Sequence, residues 1–276
     1  MQKLLTLTAI CFLILLSCAE KVEEKTPINN KKDSKNEETE VEPKKEVDTL
    51  PNHDFIKGYD YTAKILSTGI FHQEEVWKNA HKGIWYGVFE NENGYYLAET
   101  LLKIKRVNNQ VTDEKNQKSG WEIKTINKDN SLILIQGLNF LKNRKIKQIK
   151  LEKQEMNPGE TLYFNFLGID YKLFAVADQT PHEDFPEMII IRNYKLTLTS
   201  LKDGIELSDV LVTKDGFSEA MIDIEFAGDI DGDGRLDLIV NTSSHYNVTE
   251  PTLYLSKPAK DDKLLKIVGQ HTTTGC

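Results

Sequence analysis

The sequence predicts an all-β, mainly antiparallel body at residues 51–276, behind a signal peptide and a disordered tether. Short runs rich in β-branched and aromatic residues alternate with turn signals, which is typical of strands joined by hairpins. Only the segment 73–82, followed by Gly83, has the pattern of a helix that ends at a glycine. About a dozen strands at this spacing are compatible with a sandwich, a barrel or a partial propeller.

The predicted strands are separated by short polar turns, and Asn93-Gly94 lies between two aromatic-rich runs, as expected for a tight hairpin. The body is either one unit or two subdomains, at 51–180 and 181–276. The predicted strands are 84–90, 95–97, 101–107, 121–126, 132–136, 145–151, 161–166, 171–177, 188–199, 210–213, 220–226, 236–241 and 252–255.

The overall charge excludes some functions. The 276 residues have a formal net charge of -8, with 35 Lys and Arg against 43 Asp and Glu. A general nucleic-acid binder needs a basic face to neutralise phosphates, so no nucleic-acid partner is expected. Charged residues make up 28% of the chain, which excludes a multi-span membrane protein.

The first eighteen residues have the order of a secretion signal. Lys3 precedes an apolar run, 4–16, which is too short to cross a bilayer core of ~30 Å comfortably and fits the apolar region of a signal peptide. Ser17 and Cys18 follow, and the whole segment resembles the bacterial lipobox. The resemblance implies that residues 1–17 are removed and that Cys18 is lipidated. The alternative is an uncleaved N-terminal anchor.

The lipobox resemblance also implies a location. The protein would be attached to a membrane of the bacterial cell envelope through its lipid, and Ala19 is typical of outer-membrane sorting. Whether the body faces the periplasm or the cell surface is left open. Loss of Cys11 and acylation of Cys18 would leave Cys276 as the single free thiol, so no intramolecular disulfide is expected.

A charged tether, 18–50, follows the signal. Residues 19–50 contain seven Lys and ten Asp or Glu and no aromatic residue. Such a segment cannot bury enough apolar surface to offset its ordering entropy. We expect a flexible stalk that holds the body away from the membrane.

The most specific pattern is the loop 229–237, which reads Asp-Ile-Asp-Gly-Asp-Gly-Arg-Leu-Asp. Calcium takes six to eight hard oxygen ligands, and a loop that curls around the ion presents side chains from alternating positions. Gly234 stands where such a loop turns most sharply, and the carbonyl oxygen of Arg235 is the expected main-chain ligand. The candidate carboxylate ligands are Asp229, Asp231, Asp233 and Asp237.

The surroundings of this loop distinguish it from an EF-hand, which carries a Glu at position twelve where this chain has Val240. Alternating apolar residues on both sides predict flanking strands. The segment 226–240 resembles the FG-GAP/VCBS calcium loop of integrin-type propellers. The resemblance implies a mainly structural Ca²⁺ ion bound at positions 229, 231, 233, 235 and 237. A propeller needs several copies, and one copy is recognised here, so only the local calcium hairpin is expected.

The sequence assigns no catalytic residue. It has no Gly-x-Ser-x-Gly, His-Glu-x-x-His, Walker or dinucleotide-binding pattern. Exposed aromatic residues would suit a ligand surface, whereas the same residues at alternating strand positions would fill a core. The candidates for a ligand surface are Trp85, Tyr95, Tyr96 and His245.

Two functions follow from these observations. The first is a calcium-stabilised envelope lipoprotein that acts as a binding module for a protein or glycan ligand. The alternative is a surface hydrolase or carbohydrate-processing enzyme that uses acidic residues on the rim of the aspartate loop. Whether the protein is an enzyme is left open, with the balance towards the binding module.

We predict that Cys18→Ser blocks processing, because the lipid and the cleavage both depend on the cysteine thiol. The expected product is an uncleaved, non-acylated precursor, detected by mass spectrometry of the intact chain. Cys11→Ser is the matched control and should be processed normally. Normal processing of the Cys18→Ser variant would remove the lipoprotein assignment.

Overall fold

The structure is a computed structural model that describes residues 60–109, 112–115, 117–202 and 204–275. The predicted signal peptide 1–17, the lipidation site Cys18, the tether 18–50 and Cys276 lie outside the described residues, so they stay predictions. Within the described ranges, no helix has both the length and the apolar character needed to span a membrane.

The all-β prediction is confirmed, and the described residues contain one short 3-10 helix, Gln73–Glu75. The strands are β1 (Lys64–Leu66), β2 (Gly69–Phe71), β3 (Trp85–Asn91), β4 (Gly94–Thr100), β5 (Leu102–Val107), β6 (Gly120–Thr125), β7 (Asn130–Gln136), β8 (Arg144–Lys145), β9 (Lys147–Gln148), β10 (Thr161–Phe166), β11 (Ile169–Pro181), β12 (Ile189–Lys202), β13 (Ile205–Gly216), β14 (Asp223–Asp229), β15 (Asp237–Asn241), β16 (Val248–Thr249), β17 (Pro251–Leu255), β18 (Lys266–Gln270) and β19 (Thr273–Thr274).

These strands form four main antiparallel sheets and a small pair, β16–β19. Sheet A has the order β1-β7-β3-β4-β8, and sheet B the order β2-β6-β5. Sheet C has the order β18-β17-β15-β14-β9, and sheet D the order β10-β11-β12-β13. Each of the four sheets is open, with two edge strands.

The four sheets stack face to face in the order B, A, C, D, with a hydrophobic core at each of the three junctions. Of the predicted architectures, this is the sandwich type, extended to four layers. Side chains that fill the cores include Trp85, Trp121 and Ile123 between B and A, Val88, Ile135 and Leu253 between A and C, and Leu196, Leu238 and Val240 between C and D.

Sheet C is therefore covered on both faces, which explains the uninterrupted apolar run at its centre. Along β15, Leu238 and Val240 face the core shared with sheet D, while Ile239 faces the core shared with sheet A. All three side chains are fully buried. Successive side chains of a strand point to opposite faces, so a strand with two buried faces reads as continuous hydrophobic sequence.

The predicted helix at 73–82 is wrong. After Gln73–Glu75 the chain makes turns, and Asn79 has a φ of 61°, which a right-handed helix does not allow. Val76 and Trp77 are buried in the core between sheets A and B, so tertiary packing overrides the local helical pattern. Gly83, predicted as the glycine that ends this helix, follows a turn instead and has a left-handed φ of 83°.

The hairpin predicted at Asn93-Gly94 is confirmed in β3 and β4. Its turn is centred one residue earlier, because Asn91 pairs with Gly94, whose φ is 96°. The strand predicted at 145–151 is broken into β8, which pairs in sheet A, and β9, which pairs in sheet C and ends at Gln148. The subdomain boundary considered after residue 180 falls inside β11, whose pairing with β12 continues to Pro181.

A bulge in β14 creates a cavity at the edge of sheet C. The pairing of β14 with β15 skips Glu225, because Ile224 pairs with Val240 and Phe226 pairs with Ile239. Glu225 is partly buried and lines a cavity of about 410 Å³. Burial raises the pKa of Glu225 to about 7, and the neighbouring Asp223 carboxylate adds to this rise.

We predict that Glu225→Gln stabilises the protein increasingly as the pH rises. The folded protein holds the Glu225 proton up to about pH 7, whereas the unfolded chain loses it near the ordinary pKa. The free energy of unfolding of wild type therefore decreases as the pH rises between these two values. The gain from the substitution should be small near pH 4.5 and on the order of 2 kcal/mol at pH 8, since solvent access reduces the full value.

Urea denaturation across this pH range measures the difference between Glu225→Gln and wild type. Glu187→Gln, at an exposed position in the turn between β11 and β12, is the matched control and should show no such trend. A stability difference that is independent of pH would contradict the assignment of a raised pKa to Glu225.

Candidate metal centre

The predicted aspartate loop connects β14 to β15, as the flanking apolar alternation indicated. Two buried side chains within the loop hold it to the sheet stack. Ile230 is fully buried in the core between sheets A and C, and Leu236 is buried in the core between sheets C and D. The loop therefore closes one end of sheet C and is fixed to both of its neighbours.

Three of the predicted carboxylates come together in this loop. Asp229, Asp231 and Asp237 each place a carboxylate oxygen within 4.8 Å of the others. Their exposed fractions are only 7%, 3% and 0%. Burial of several carboxylates so close together is costly unless a positive charge or hydrogen bonds compensate them.

Asp237 is held by donors from within the loop and from the chain just after β17. One oxygen, Oδ2, accepts hydrogen bonds from the amides of Ile230 at 2.7 Å and Asp231 at 3.0 Å. The other, Oδ1, accepts from the amide of Ser256 at 2.8 Å. Burial raises the pKa of Asp237 well above its ordinary value, and the neighbouring Asp231 carboxylate adds to this rise.

Asp231 and Asp229 accept mainly backbone hydrogen bonds. Asp231 accepts from the amides of Lys257 at 3.0 Å and Asp233 at 3.2 Å. Asp229 accepts from the amide of Gly232 at 2.6 Å, and its other oxygen lies 4.0 Å from the Arg144 guanidinium. Burial raises the pKa of Asp231 to about 6, so in this environment the charged form is disfavoured.

Asp233 and Arg235 lie at the edge of this cluster. The Arg235 Nε atom donates to Asp233 Oδ2 at 2.7 Å, and an Arg235 amino group donates to the carbonyl oxygen of Ser256 at 2.9 Å. The Ser256 hydroxyl lies 2.9 Å from Asp233 Oδ1. The structure thus pairs the Asp233 side chain with Arg235, and the group of close carboxylates contains the other three aspartates.

The compensation inside the cluster is incomplete. In the described part of the chain, the only salt bridge to the three clustered carboxylates is the 4.0 Å contact between Arg144 and Asp229. Amides and a hydroxyl supply partial positive charge but do not neutralise three acids. A carboxylate oxygen has a second lone pair, so it can accept an amide hydrogen and still bind an ion. Oxygen-only donors of this kind suit a hard divalent cation.

The donors from Ser256, Lys257 and Arg144 were not predicted. Ser256 and Lys257 follow β17, and the pairing of β15 with β17 carries them to the loop. Arg144 comes from β8 in sheet A, and its guanidinium lies against Gly232. The sequence contains no spacing signal for these contacts, because each depends on strand pairing or sheet stacking.

The predicted ligand surface is not assembled. Trp85 is fully buried and its indole donates to the carbonyl oxygen of Ala80 at 2.8 Å, so the prediction for Trp85 is wrong. Tyr95 and Tyr96 are half-buried neighbours in β4 and point to opposite faces of sheet A, where Tyr95 packs on Phe226 and Tyr96 on Phe89.

His245 is exposed and stacks on Tyr246, with ring centroids 4.6 Å apart. It follows the end of β15 at Asn241, whereas the aspartate loop precedes the start of this strand at Asp237. A strand separates the two, so His245 does not lie on the rim of the aspartate loop.

We predict that two glycine substitutions in the loop respond differently to Arg144. Gly232 and Gly234 have φ values of 82° and 83°, so Ala at either position should cost about 1 kcal/mol of stability. A Cβ atom at Gly232 would overlap the Arg144 guanidinium, whereas Gly234 faces open space. The guanidinium is the mobile end of a long side chain, so we expect it to swing away from Asp229.

A double-mutant cycle by urea denaturation checks this expectation. In an Arg144→Ala background the cost of Gly232→Ala should change by about 0.5 kcal/mol or more, while the cost of Gly234→Ala stays the same. Equal behaviour of the two glycines in both backgrounds would show that Arg144 does not rest on the loop.

No protein-family model matches the chain, and neither a curated protein nor a solved structure matches it. The resemblance of 226–240 to the FG-GAP/VCBS loop therefore stays a prediction. The case for a metal ion therefore depends on the carboxylate oxygens themselves, which form a buried cluster with one salt bridge among the described residues.

Proposed function

We propose that loop 229–237 binds a Ca²⁺ ion that stabilises the β body, and that this body is the binding module of an envelope-anchored lipoprotein. The observation that carries the metal assignment is the cluster of Asp229, Asp231 and Asp237. Their oxygens lie within 4.8 Å of one another, and the charge is compensated mainly by amides. A divalent cation at this point would supply the missing charge.

Calcium is preferred over other divalent ions for physical reasons. The donor set consists of oxygen atoms, which excludes soft metals as the favoured occupants. Mg²⁺ requires a near-ideal octahedron, whereas Ca²⁺ accepts the irregular arrangement that one loop and its neighbours can supply. Calcium modules outside the cytoplasm commonly bind in the range of about 10⁻⁴–10⁻³ M, which suits the predicted envelope location.

The role of this ion would be structural. Loop 229–237 inserts Ile230 and Leu236 into two different cores, so an ion that orders the loop would also fix the end of sheet C between its neighbours. A cavity of about 340 Å³ is lined by Arg235 and Leu236 of this loop, and none of the loop's aspartates lines it.

The assignment as a binding module draws on the predicted lipid anchor and on an exposed part of sheet D. Beyond Asp178 and Arg192, strands β11 and β12 pair only with each other and form a projecting two-stranded arm. Its turn exposes Phe185 at 53% and Met188 at 56%. Exposed apolar side chains on a projecting hairpin favour contact with a protein ligand.

The alternative function, a surface hydrolase with acids on the rim of the loop, has less support. Such a mechanism needs two carboxylates that face one cleft. Asp231 and Asp237 have raised pKa values, but they are buried and hydrogen-bonded within the loop. We therefore assign no catalytic residue.

A thermal unfolding experiment with the full-length protein tests the calcium site. Calcium at about one hundred times its Kd should stabilise the folded state by ~2.7 kcal/mol and raise Tm by several degrees relative to chelator. Mg²⁺ at the same concentration should raise Tm less. The combined variant Asp231→Ala and Asp233→Ala should lose the calcium-dependent increase.

The matched control replaces two exposed aspartates, Asp261 and Asp262, by Ala and should keep the full calcium response. Asp231→Asn offers a milder test if the double variant folds poorly, because it keeps the size of the side chain. The calcium assignment is wrong if wild type and the Asp231 variants melt at the same temperatures with calcium as with chelator.

A further inference from the structure

The cavity beside Glu225 is a gap in the edge of sheet C. The edge strand β9 pairs only with the last two residues of β14, Gly228 and Asp229. The chain then stays on this edge through two hydrogen bonds, from the amide of Ile149 to the carbonyl oxygen of Ala227 at 3.0 Å, and from the amide of Ile224 to the carbonyl oxygen of Gln154 at 2.9 Å. Between these two bonds, residues 150–153 leave β14, and the cavity opens behind them.

The interior of this cavity combines three partly exposed apolar or aromatic side chains, Tyr95, Ile149 and Leu151, with polar groups and one acid. Tyr95 packs edge-on against the buried Phe226, with ring centroids 5.0 Å apart. Glu225 is partly buried on the bulge of β14. The volume of about 410 Å³ lies in the range of small-molecule sites.

Glu225 has no counter-ion. Within the described residues its carboxylate has neither a hydrogen-bond partner nor an ion pair, and its nearest charged influence is the like charge of Asp223. A partly buried carboxylate without a partner is costly for folding, and the bulge that directs it into the cavity brings no compensating donor. A residue so placed is more easily explained by a ligand than by the stability of the fold.

The rim of the cavity is mainly acidic. Glu90 from β3 and Glu152 from the departing segment are exposed there, opposed by Lys150, which is also exposed. Burial raises the pKa of Tyr95, and the Glu90 carboxylate adds to this rise, so the phenol stays neutral. The cavity thus presents three carboxylates and one ammonium group to a ligand.

We propose that this cavity is a binding site for a small organic cation, a primary ammonium group on an apolar body, with Glu225 as the counter-ion. The ammonium group would pair with Glu225 at the bulge, and the apolar body would lie against Ile149, Leu151 and the ring of Tyr95. The acidic rim would attract the cation and repel anions. This site is separate from the aspartate loop and does not depend on calcium.

Three ligands of equal chain length test the proposal by calorimetry at pH 8, with the full-length protein. Pentylamine is the cationic probe, pentanol the neutral one and pentanoate the anionic one. Pentylamine should bind in the millimolar range, and the other two should bind more weakly by about tenfold or more, because they cannot pair with a carboxylate. Lowering the pH to 5.5 should weaken the binding of pentylamine, since Glu225 is then protonated while the amine keeps its charge.

The variants separate this site from general attraction to an acidic protein. Glu225→Gln should weaken pentylamine binding by about tenfold or more, and its thermal unfolding should confirm that the variant is folded. Glu187→Gln, at an exposed acid in the turn between β11 and β12, should bind as wild type does. Lys150→Gln should bind pentylamine at least as well as wild type, because it removes a competing cation.

Three results would overturn the proposal. Equal affinity of wild type and Glu225→Gln would show that the carboxylate is not the counter-ion. Preference for pentanoate, with loss of pentanoate binding in Lys150→Gln, would show that the site binds anions through Lys150. Absence of pentylamine binding throughout the millimolar range would show that the cavity does not accept a primary ammonium group.

Discussion

A single buried carboxylate links the parts of this structure. Asp237 is completely enclosed at the start of β15, where its oxygens accept amide hydrogens from the loop before the strand and from Ser256 at the end of β17. Because the same loop sends Ile230 and Leu236 into different cores, this interaction also sets the position of sheet C against sheets A and D. The need to satisfy this charge constrains the loop, the sheet end and both adjoining cores together.

Two acids of β14, the buried Asp229 at its end and the partly buried Glu225 on its bulge, are compensated in different ways. Asp229 takes part in a network of amides, a guanidinium group and neighbouring carboxylates, which is arranged as if around a common centre. Glu225 stands on a bulge beside a cavity, and among the described residues no donor pairs with its carboxylate. The first arrangement suits an inorganic ion that several oxygens surround, and the second suits a ligand that brings one charge and covers apolar surface itself.

The fold class and the cluster of close carboxylates could be predicted because both depend on local pattern. Strand β10 was placed at its observed bounds by turn signals on either side, and the alternating aspartates placed the loop between two strands. Other features depend on distant contacts. Ser256 reaches the loop only through strand pairing, and the alternation around Trp85 does not say which face of the strand meets another sheet. The expected helix is absent because Asn79 has a left-handed backbone conformation, which the pattern of apolar residues does not predict.

The order of the layers in space differs from their order along the chain. Sheet C lies between sheets A and D, yet its four long strands begin at Asp223, after all strands of A, B and D have been synthesised. Until this last part of the polypeptide emerges, sheets A and D each lack the surface that covers one apolar face. The parts of the chain that are made first therefore keep apolar faces exposed, and these faces can aggregate or bind chaperones. A premature stop before Asp223 would remove the middle of the stack rather than a peripheral layer, and no stable remnant would be expected.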